Sequence, residues 1–505
     1  MKYWLGIDIG TGGTRALLVR PDGGVACGMT APHEDIVMHR PLWAEQRPEN
    51  WWDAACKAVS QVLAKGGACG SDVAGIGLSG QMHGLTLLDR SDEVVRPALI
   101  WCDQRSQEQV DWINATAGKE MVLEQTANPV LTGFTAPKLL WVRDHDPGSY
   151  ERVRKMLLPK DYVRFRLTGE YVSDVSDASG TALFDVMGRR WAWPLAAKLG
   201  IDASILPEVV ESSAPTGRVS GSAAELTGLA AGTPVFGGGG DQAASAVGNG
   251  IVETGLVSCT IGTSGVVFSH LDEAAYDPQG RVHTFCHAVP GKWHVMGVTQ
   301  GAGLSLQWFR NQLTPALAEE AEARGVEAYE LLTEEAAQAP AGAEGLIWLP
   351  YLMGERTPHL DAYARGGWIG LTAKHTRAHL VRSILEGVSY SLNDCLGIIE
   401  SLGAEISAVR ASGGGAKSKV WRTILAGVFQ KPIATLQTQE GSAYGAALLA
   451  MVGTGAYGTV QEACRAVTVE RQRTEPDPDL VEAYRVPYEL FRELYPALRT
   501  VFPRM

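Results

Sequence analysis

Apolar positions in the first eighty residues follow two different periods. Residues 3–9 and 14–19 are apolar runs joined by Gly-Thr-Gly-Gly at 10–13, which predicts a β-hairpin. Between 48 and 65 the apolar residues recur at helical spacing, and 73–80 has the pattern of a buried strand. Strand and helix patterns continue to alternate after this point. The predicted fold class is therefore layered α/β.

The opening pattern returns near the middle of the chain. Runs 255–260 and 266–269 flank a second Gly-Thr turn, whose Thr263 lies 252 residues after Thr11 in a chain of 505 residues. The repeat favours an internal duplication, although two such short turns also match by chance. Since one core serves roughly 100–200 residues, we predict two domains, 1–246 and 247–505. Further helices are predicted near 300–313, 376–400, 417–429 and 440–453, with strands at 345–350 and 407–412.

Composition narrows the classes of partner. The formal net charge of -12 argues against nucleic acid, which would need a basic surface. Eight cysteines without a Cys-x-x-Cys pair favour a reducing compartment, and His283, Cys286 and His287 lack a second ligand pair at zinc spacing. No apolar run approaches the roughly 18 residues of a membrane span, and Asp8 interrupts the first run before a signal peptide could form. We expect a cytoplasmic protein without nucleic-acid or membrane partners.

Three glycine-rich turns are candidate phosphate sites, at 10–13, 262–265 and 413–415. Glycine lets several backbone amides approach one anion, and a helix that follows adds a favourable dipole. Each turn alone is more often structural. The sequence has no GxxxxGK[ST] motif, and GIGLSG at 75–80 lies inside a strand pattern, so neither a P-loop nor a dinucleotide site is indicated.

Two aspartates follow strand patterns, where α/β proteins place ligands. Asp8 stands beside the first turn, where it could hold Mg²⁺ through water or act as an ordinary turn residue. Asp241 follows four glycines and precedes a helix pattern. A helix cap is the alternative there, but four glycines clear more space than a cap needs. Phosphoryl transfer requires a base on the acceptor hydroxyl, and Asp241 is the candidate, ionised at neutral pH with an ordinary pKa of about 4.

Two long motifs identify a family. Gly133-x-Thr135-x-x-Lys138-Leu139-x-Trp141-Val142-x-Asp144-His145 is the first, and the second joins Gly366-x-Trp368-x-Gly370-Leu371 to His379-Leu380-x-x-Ser383-Ile384-Leu385-Glu386. Both fit signatures of the FGGY carbohydrate kinases, and segments 43–52, 101–105 and 350–358 also resemble that family. The resemblance covers nearly the whole chain. It implies two actin-like (ribonuclease H-like, ASKHA superfamily) domains with an active-site cleft between them, and ATP, a sugar and Mg²⁺ as ligands.

The resemblance also implies roles for particular residues. Asp241 would be the general base and Asp8 the carboxylate that holds Mg²⁺ through water. ATP would lie mainly against the second domain and the sugar mainly against the first. The implied ATP-binding residues are Thr11, Gly12, Gly13, Thr14, Arg15, Gly262, Thr263, Ser264, Gly303, Gln307, Gly414, Gly415, Ala416 and Lys419.

Within the family, the loop Gly80–Gly84 resembles that of the members that phosphorylate D-xylulose. The implied sugar-binding residues are Gln81, Met82, His83, Trp101, Asp103 and Asp241. Kinases of ribulose, gluconate or glycerol are the alternatives, because small changes in hydroxyl contacts alter such pockets. A non-catalytic sugar sensor would need damage at Asp8, Asp241 or the turns, and a chaperone-like ATPase would need a peptide-binding segment. The sequence leaves the oligomeric state open, a homodimer included.

Overall fold

The structure, a computed structural model, describes residues 1–438 and 440–505. The strands are β1 Tyr3–Ile9, β2 Gly13–Val19, β3 Val25–Pro32, β4 Glu45–Gln46, β5 Val73–Gly80, β6 Thr86–Leu88, β7 Ala98–Leu99, β8 Lys155–Leu157, β9 Val172–Asp174, β10 Phe184–Asp185, β11 Arg190–Trp191, β12 Glu208–Val210, β13 Pro215–Arg218, β14 Pro234–Gly240, β15 Gly255–Ile261, β16 Gly265–Leu271, β17 His283–Cys286, β18 Trp293–Thr299, β19 Ile347–Leu349, β20 Gly367–Ile369, β21 Ile406–Ser412, β22 Ile433–Leu436 and β23 Glu470–Thr474.

The helices are α1 Pro48–Gly66, α2 Gln107–Ala117, α3 Lys119–Thr126, α4 Thr135–His145, α5 Pro147–Arg152, α6 Pro159–Thr168, α7 Val175–Ala178, α8 Trp193–Lys198, α9 Gly221–Thr227, α10 Asp241–Gly248, α11 Ala302–Leu313, α12 Leu317–Arg324, α13 Ala328–Ala336, α14 Arg377–Ser401, α15 Lys419–Phe429, α16 Gly441–Gly453, α17 Val460–Val467 and α18 Pro478–Leu498. None of these helices is both long enough and apolar enough to cross a membrane.

Two sheets with the same arrangement organise the chain. The first has the order β13-β14-β5-β1-β2-β3, and the second has the order β17-β18-β16-β15-β21-β22-β23. In each, an antiparallel hairpin (β1–β2 or β15–β16) lies beside two strands that run parallel to its first member. The hairpins predicted from the two Gly-Thr turns are therefore confirmed, and so is the prediction of two actin-like domains.

The two halves of the chain are not separated at one point. The predicted boundary between 246 and 247 falls inside α10, and it stays a prediction. Helix α16, from the far end of the chain, returns to cover the first sheet, where a Cβ on Gly6 would lie only 1.8 Å from the carbonyl oxygen of Ala443. The indole of Trp4 also donates to Thr454 Oγ1 at 2.8 Å. The first sheet is thus completed by residues that belong to the second half of the sequence.

Candidate functional site

The site begins where β1, β5 and β14 end side by side. Asp8 is in register with Ser79 on β5, and Ser79 is in register with Gly239 on β14. Asp241 follows two residues later, as the first residue of α10. Parallel strands present their carboxyl ends at one edge of a sheet, so two aspartates 233 residues apart in sequence meet there.

The glycines before Asp241 allow β14 to lie close to β5 and to the loop Gly80–Gly84, called here the predicted sugar loop. Gly238 has φ 68°, and a Cβ on it would lie 1.7 Å from the carbonyl oxygen of Leu78. A Cβ on Gly240 would lie 2.8 Å from Cγ of Met82. Larger residues would therefore push β14 away from β5 and from the predicted sugar loop. The glycines are thus needed for close packing of β14, and the inference that they clear space around Asp241 stays a prediction.

The protonation of Asp241 differs from the sequence expectation. Burial and, next in size, the charge of Asp8 raise its pKa from 3.8 to about 7. We expected this carboxylate to be ionised at neutral pH with an ordinary pKa. That expectation was wrong because it took no account of burial, which disfavours the charged form, or of the like charge of Asp8.

Asp8 has the features of a carboxylate that accepts a cation. Burial raises its pKa to about 6, although Ser79 and Arg15 act in the opposite direction. Its Oδ1 is shielded from solvent and has no hydrogen-bond partner among the residues that the structure describes. Mg²⁺ is commonly held by one or two carboxylates together with waters and substrate phosphates. The donor set around Asp8 therefore fits the predicted metal.

The first glycine turn is held by side chains that include two of the predicted sugar-binding residues, Trp101 and Gln81. Thr11 Oγ1 accepts from Trp101 Nε1 at 2.9 Å and donates to Gln81 Oε1 at 3.2 Å. The carbonyl of Thr11 accepts from Gln46 Nε2 at 2.8 Å, and Gln81 in turn donates to Gln46 Oε1 at 3.0 Å. Gln46 was not among the predicted site residues, although it lies in the family-like segment 43–52. Gly12, beside Thr11, is exposed and open to a ligand.

Other side chains near this turn are engaged within the protein. Thr14 is fully buried and its Oγ1 lies 2.8 Å from His33 Nε2. Arg15 Nε donates to Glu440 Oε2 at 2.8 Å. A Cβ on Gly13 would meet the carbonyl oxygen of Ala31 at 2.7 Å, so this glycine is needed for the β2–β3 pairing. The roles of Thr14 and Arg15 as ATP ligands stay predictions.

A cavity of about 890 Å³ opens beside the second glycine turn. Its walls include seven of the predicted ATP-binding residues, namely Gly262, Thr263, Gly303, Gln307, Gly414, Gly415 and Lys419. The α11 start supports the turn, because the Gly303 amide donates to the Gly262 carbonyl at 2.8 Å. Ser264 is in the turn but not on the cavity wall, and Ala416 is buried.

The sequence reasoning missed other residues on the walls of this cavity. They are polar and follow no phosphate-binding pattern: Glu327, Tyr329, Glu330, Thr333, Glu334, Arg422 and Gln472. Most of them stand on or just before α13, whose sequence shows only an ordinary amphipathic helix. No signal in the sequence could have placed that helix at the same cavity as residues 414–419.

His83 is held in one orientation within the sugar loop. Its Nδ1 lies 2.6 Å from the carbonyl oxygen of Gly180, and its ring stacks on Phe134 with centroids 4.7 Å apart. Burial is the main reason that its pKa falls to about 3, so the ring is neutral at pH 7. Because a carbonyl only accepts, Nδ1 carries the proton and Nε2 is left as an acceptor. A neutral imidazole of this kind can accept a hydrogen bond from a sugar hydroxyl.

Two buried ionisable side chains near the loop have different partners. Lys138, from the first family motif, donates to the carbonyl oxygens of His83 at 3.0 Å and Gly133 at 2.6 Å. Asp103 has no exposed surface, and it accepts from the Ala44 amide at 2.7 Å and from Arg105. The structure therefore brings Met82, His83, Gln81 and Trp101 together at the site, whereas Asp103 is occupied inside the protein and its sugar contact stays a prediction.

Comparisons with known proteins agree with this geometry. The FGGY family of carbohydrate kinases matches with its N-terminal domain at residues 3–248 and its C-terminal domain at residues 257–454. The xylulose kinase of Bacillus subtilis (strain 168) is 37% identical over 495 residues, which is 98% of this chain and 97% of that protein. The xylulose kinase of Escherichia coli (strain K12) is 37% identical over 498 residues, 98% of this chain and 99% of that protein.

A solved structure extends the match to three dimensions. The crystal structure of xylulose kinase from Rhodospirillum rubrum superposes with a TM-score of 0.92 at 33% identity, covering 99% of this chain and 100% of that one. The first sheet, the glycine turns and both family motifs of this chain lie within the residues matched by the family, and the second sheet lies within them except for the start of β15 and for β23. The chain belongs to the FGGY family of carbohydrate kinases.

Proposed function

We propose that this ATP-dependent sugar kinase transfers the γ-phosphate of ATP to O5 of D-xylulose, with Asp241 as the general base. The observation that carries the proposal is the contact between Gly240, next to Asp241, and Met82 of the sugar loop. This contact puts the proposed base beside a loop that resembles that of D-xylulose kinases. The names of the relatives favour the same sugar.

Each of the proposed site residues has a separate role in the reaction. Asp241 accepts the proton of the O5 hydroxyl, O5 forms a bond to the γ-phosphorus, and the bond from that phosphorus to the β–γ bridging oxygen breaks to release ADP. His83 accepts a hydrogen bond from another hydroxyl, and Met82 covers the carbon face of the sugar. The amides of the two glycine turns bind the phosphates. Mg²⁺, held through water by Asp8, would neutralise phosphate charge when bound.

Replacement of the base tests the mechanism. Asp241→Asn keeps the size of the side chain but cannot take a proton, so we expect kcat to fall by about 10²–10⁴-fold. Asp111→Asn, an exposed position on α2, is the control for the same chemical change and should keep wild-type turnover. Sugar-dependent ADP release by Asp241→Asn close to the wild-type rate would contradict the assignment.

A panel of sugars tests the substrate. Coupled ADP release should give the highest kcat/KM with D-xylulose, and lower values with ribulose, gluconate and glycerol. A higher value for one of these three would replace D-xylulose with that sugar and leave the base assignment intact. Sugar binding without any ADP release would instead indicate a non-catalytic sugar sensor.

Three further statements stay predictions alongside these. Dependence on Mg²⁺ is tested by turnover in EDTA with and without added Mg²⁺. A homodimer predicts a sedimenting mass twice that of the 54.0 kDa chain. A cytoplasmic location is tested by cell fractionation.

A further inference from the structure

A buried serine lies directly behind the strand end that carries Asp241. The amide of Gly240 donates to Ser176 Oγ at 3.1 Å, and Ser176 has no exposed surface. The Ser176 hydroxyl donates its own proton to Asp174 Oδ2 at 2.6 Å. Because the hydroxyl has only one proton, this leaves its lone pairs for the Gly240 amide. The direction of the whole chain of bonds is therefore fixed.

Asp174 belongs to a buried cluster of ionisable side chains. Lys160 Nζ lies 2.8 Å from Asp174 Oδ1, 2.5 Å from Asp161 Oδ1 and 3.1 Å from Asp177 Oδ2, and all four side chains are fully buried. Arg164, also in the cluster, donates to the carbonyl of Gly237 at the other end of the glycine run. Both ends of the run Gly237–Gly240 are therefore tied to the same buried cluster.

The glycine run needs this support because it has no side chains of its own. Four consecutive glycines lose more conformational freedom on folding than other residues, and only backbone hydrogen bonds, without side-chain packing of their own, fix them. Asp241 follows immediately, so an error in the direction of the last peptide moves the carboxylate. A misplacement of about 1 Å at a reacting group can lower a rate by about 10²-fold.

We infer that Ser176 is a positioning residue for this kinase: through its bond to the Gly240 amide it fixes the direction in which the Asp241 carboxylate points. Because Ser176 is fully buried, it would act through Asp241 and not by contacting the substrates. This inference rests on the proposed role of Asp241 as base, and the test keeps the two apart.

Ser212 provides a matched control. Its hydroxyl donates to the same Asp174 Oδ2, at 3.1 Å, and it is just as buried. The Ser212 side chain makes no hydrogen bond to β14. Its backbone carbonyl accepts from the Gly238 amide at 2.7 Å, and an alanine at this position would retain that carbonyl. Ser212→Ala therefore removes one buried hydroxyl from Asp174 without touching Gly240.

The experiment compares Ser176→Ala, Ser212→Ala and Asp241→Asn by steady-state kinetics in ATP and D-xylulose, together with thermal unfolding. We expect Ser176→Ala to lower kcat by about 10–100-fold, with both KM values within about twofold of wild type. Ser212→Ala should keep a near-wild-type kcat, and its Tm should be similar to that of Ser176→Ala. If Ser176→Ala does not fold, Ser176→Cys, which keeps the volume but accepts weakly, should show the same fall in kcat.

Each other result overturns the inference in a recognisable way. If the Ser176 and Ser212 variants had equal kcat values and Asp241→Asn were inactive, Asp241 would remain the general base but Ser176 would not be a positioning residue. A lower Tm or a higher KM for Ser176→Ala at unchanged kcat would show a structural role only. Full activity of Asp241→Asn would remove the base, and with it the positioning role.

Discussion

The contact between α10 and α16 makes Gly445→Ala a sharp test of the packing around Asp241. A Cβ on Gly445 would lie 1.8 Å from the carbonyl oxygen of Ala244 and 2.9 Å from the amide nitrogen of Gly248. Both atoms are backbone of α10, so no side-chain rotation relieves the clash. Since real Cβ contacts are essentially never shorter than 3.0 Å, the helices must separate by about 1.2 Å.

The size of the effect follows from that displacement. Overpacking of a buried contact costs about 1–3 kcal/mol of stability, and the gain in helix propensity from glycine to alanine offsets about 1 kcal/mol of it. We therefore expect a net loss of up to about 2 kcal/mol. Asp241 is the first residue of α10, so a shift of about 1 Å should lower kcat by about 10²-fold.

Urea unfolding measures the first quantity, and a coupled ADP assay measures the second. Gly397→Ala is the control, since Gly397 lies within α14 and an added Cβ meets no atom within 4 Å. That control should be neutral, or more stable by up to about 1 kcal/mol, with unchanged kcat. If Gly445→Ala were as stable and as active as Gly397→Ala, the described packing of α10 on α16 would be refuted.

Three further outcomes are expected. Gly180→Ala would place a Cβ 2.6 Å from Nδ1 of His83, and should lower kcat/KM for the sugar by about tenfold or more without changing KM for ATP; an unchanged sugar profile contradicts the role of His83. Trp101→Phe removes the N–H donor to Thr11, and an assay of kcat/KM should show a loss of about 3–10-fold, whereas wild-type kinetics would exclude a role for that bond. Burial lowers the pKa of His294 from 6.5 to about 3. Between these values the unfolded state binds more protons than the folded state, so the free energy of unfolding falls as pH drops from 6.5 towards 3, by at most about 1.4 kcal/mol per pH unit. Urea unfolding of His294→Leu should therefore show a shallower pH dependence than wild type, and an equal slope would contradict this account.

Much of the secondary structure could be predicted because it depends on local pattern. The two hairpins, the strand before Asp241 and the long helix α14 are each encoded by periodicity and glycine turns that lie within a short stretch of sequence. The destination of α16 is not encoded in this way. Its small and apolar residues indicate burial on most sides, but they do not indicate that its partner is a sheet formed at the other end of the chain.

In the candidate site, too, some features could be predicted from the sequence and others could not. Asp241 could be found from its position after a strand and four glycines, and Met82 and His83 from a family pattern. The pKa of Asp241 could not, because it depends on Asp8 and on burial, which are properties of the folded pocket. Asp103 stands two residues after Trp101 in sequence, yet it is fully buried while Trp101 is 43% exposed. Only the packing of Arg105 against Asp103 reveals that difference.

The return of α16 to the first sheet also governs the order in which the molecule can fold during synthesis. Trp4 is among the first residues to leave the ribosome, and its partner Thr454 emerges 450 residues later. Until then the face of the first sheet that includes Leu17 and Phe236 lacks α16, which supplies a large part of the apolar cluster that covers it. A nascent chain with such a face exposed is prone to aggregate. Residues 1–248, although matched by one family domain, are therefore not expected to form a stable fragment when they are expressed alone.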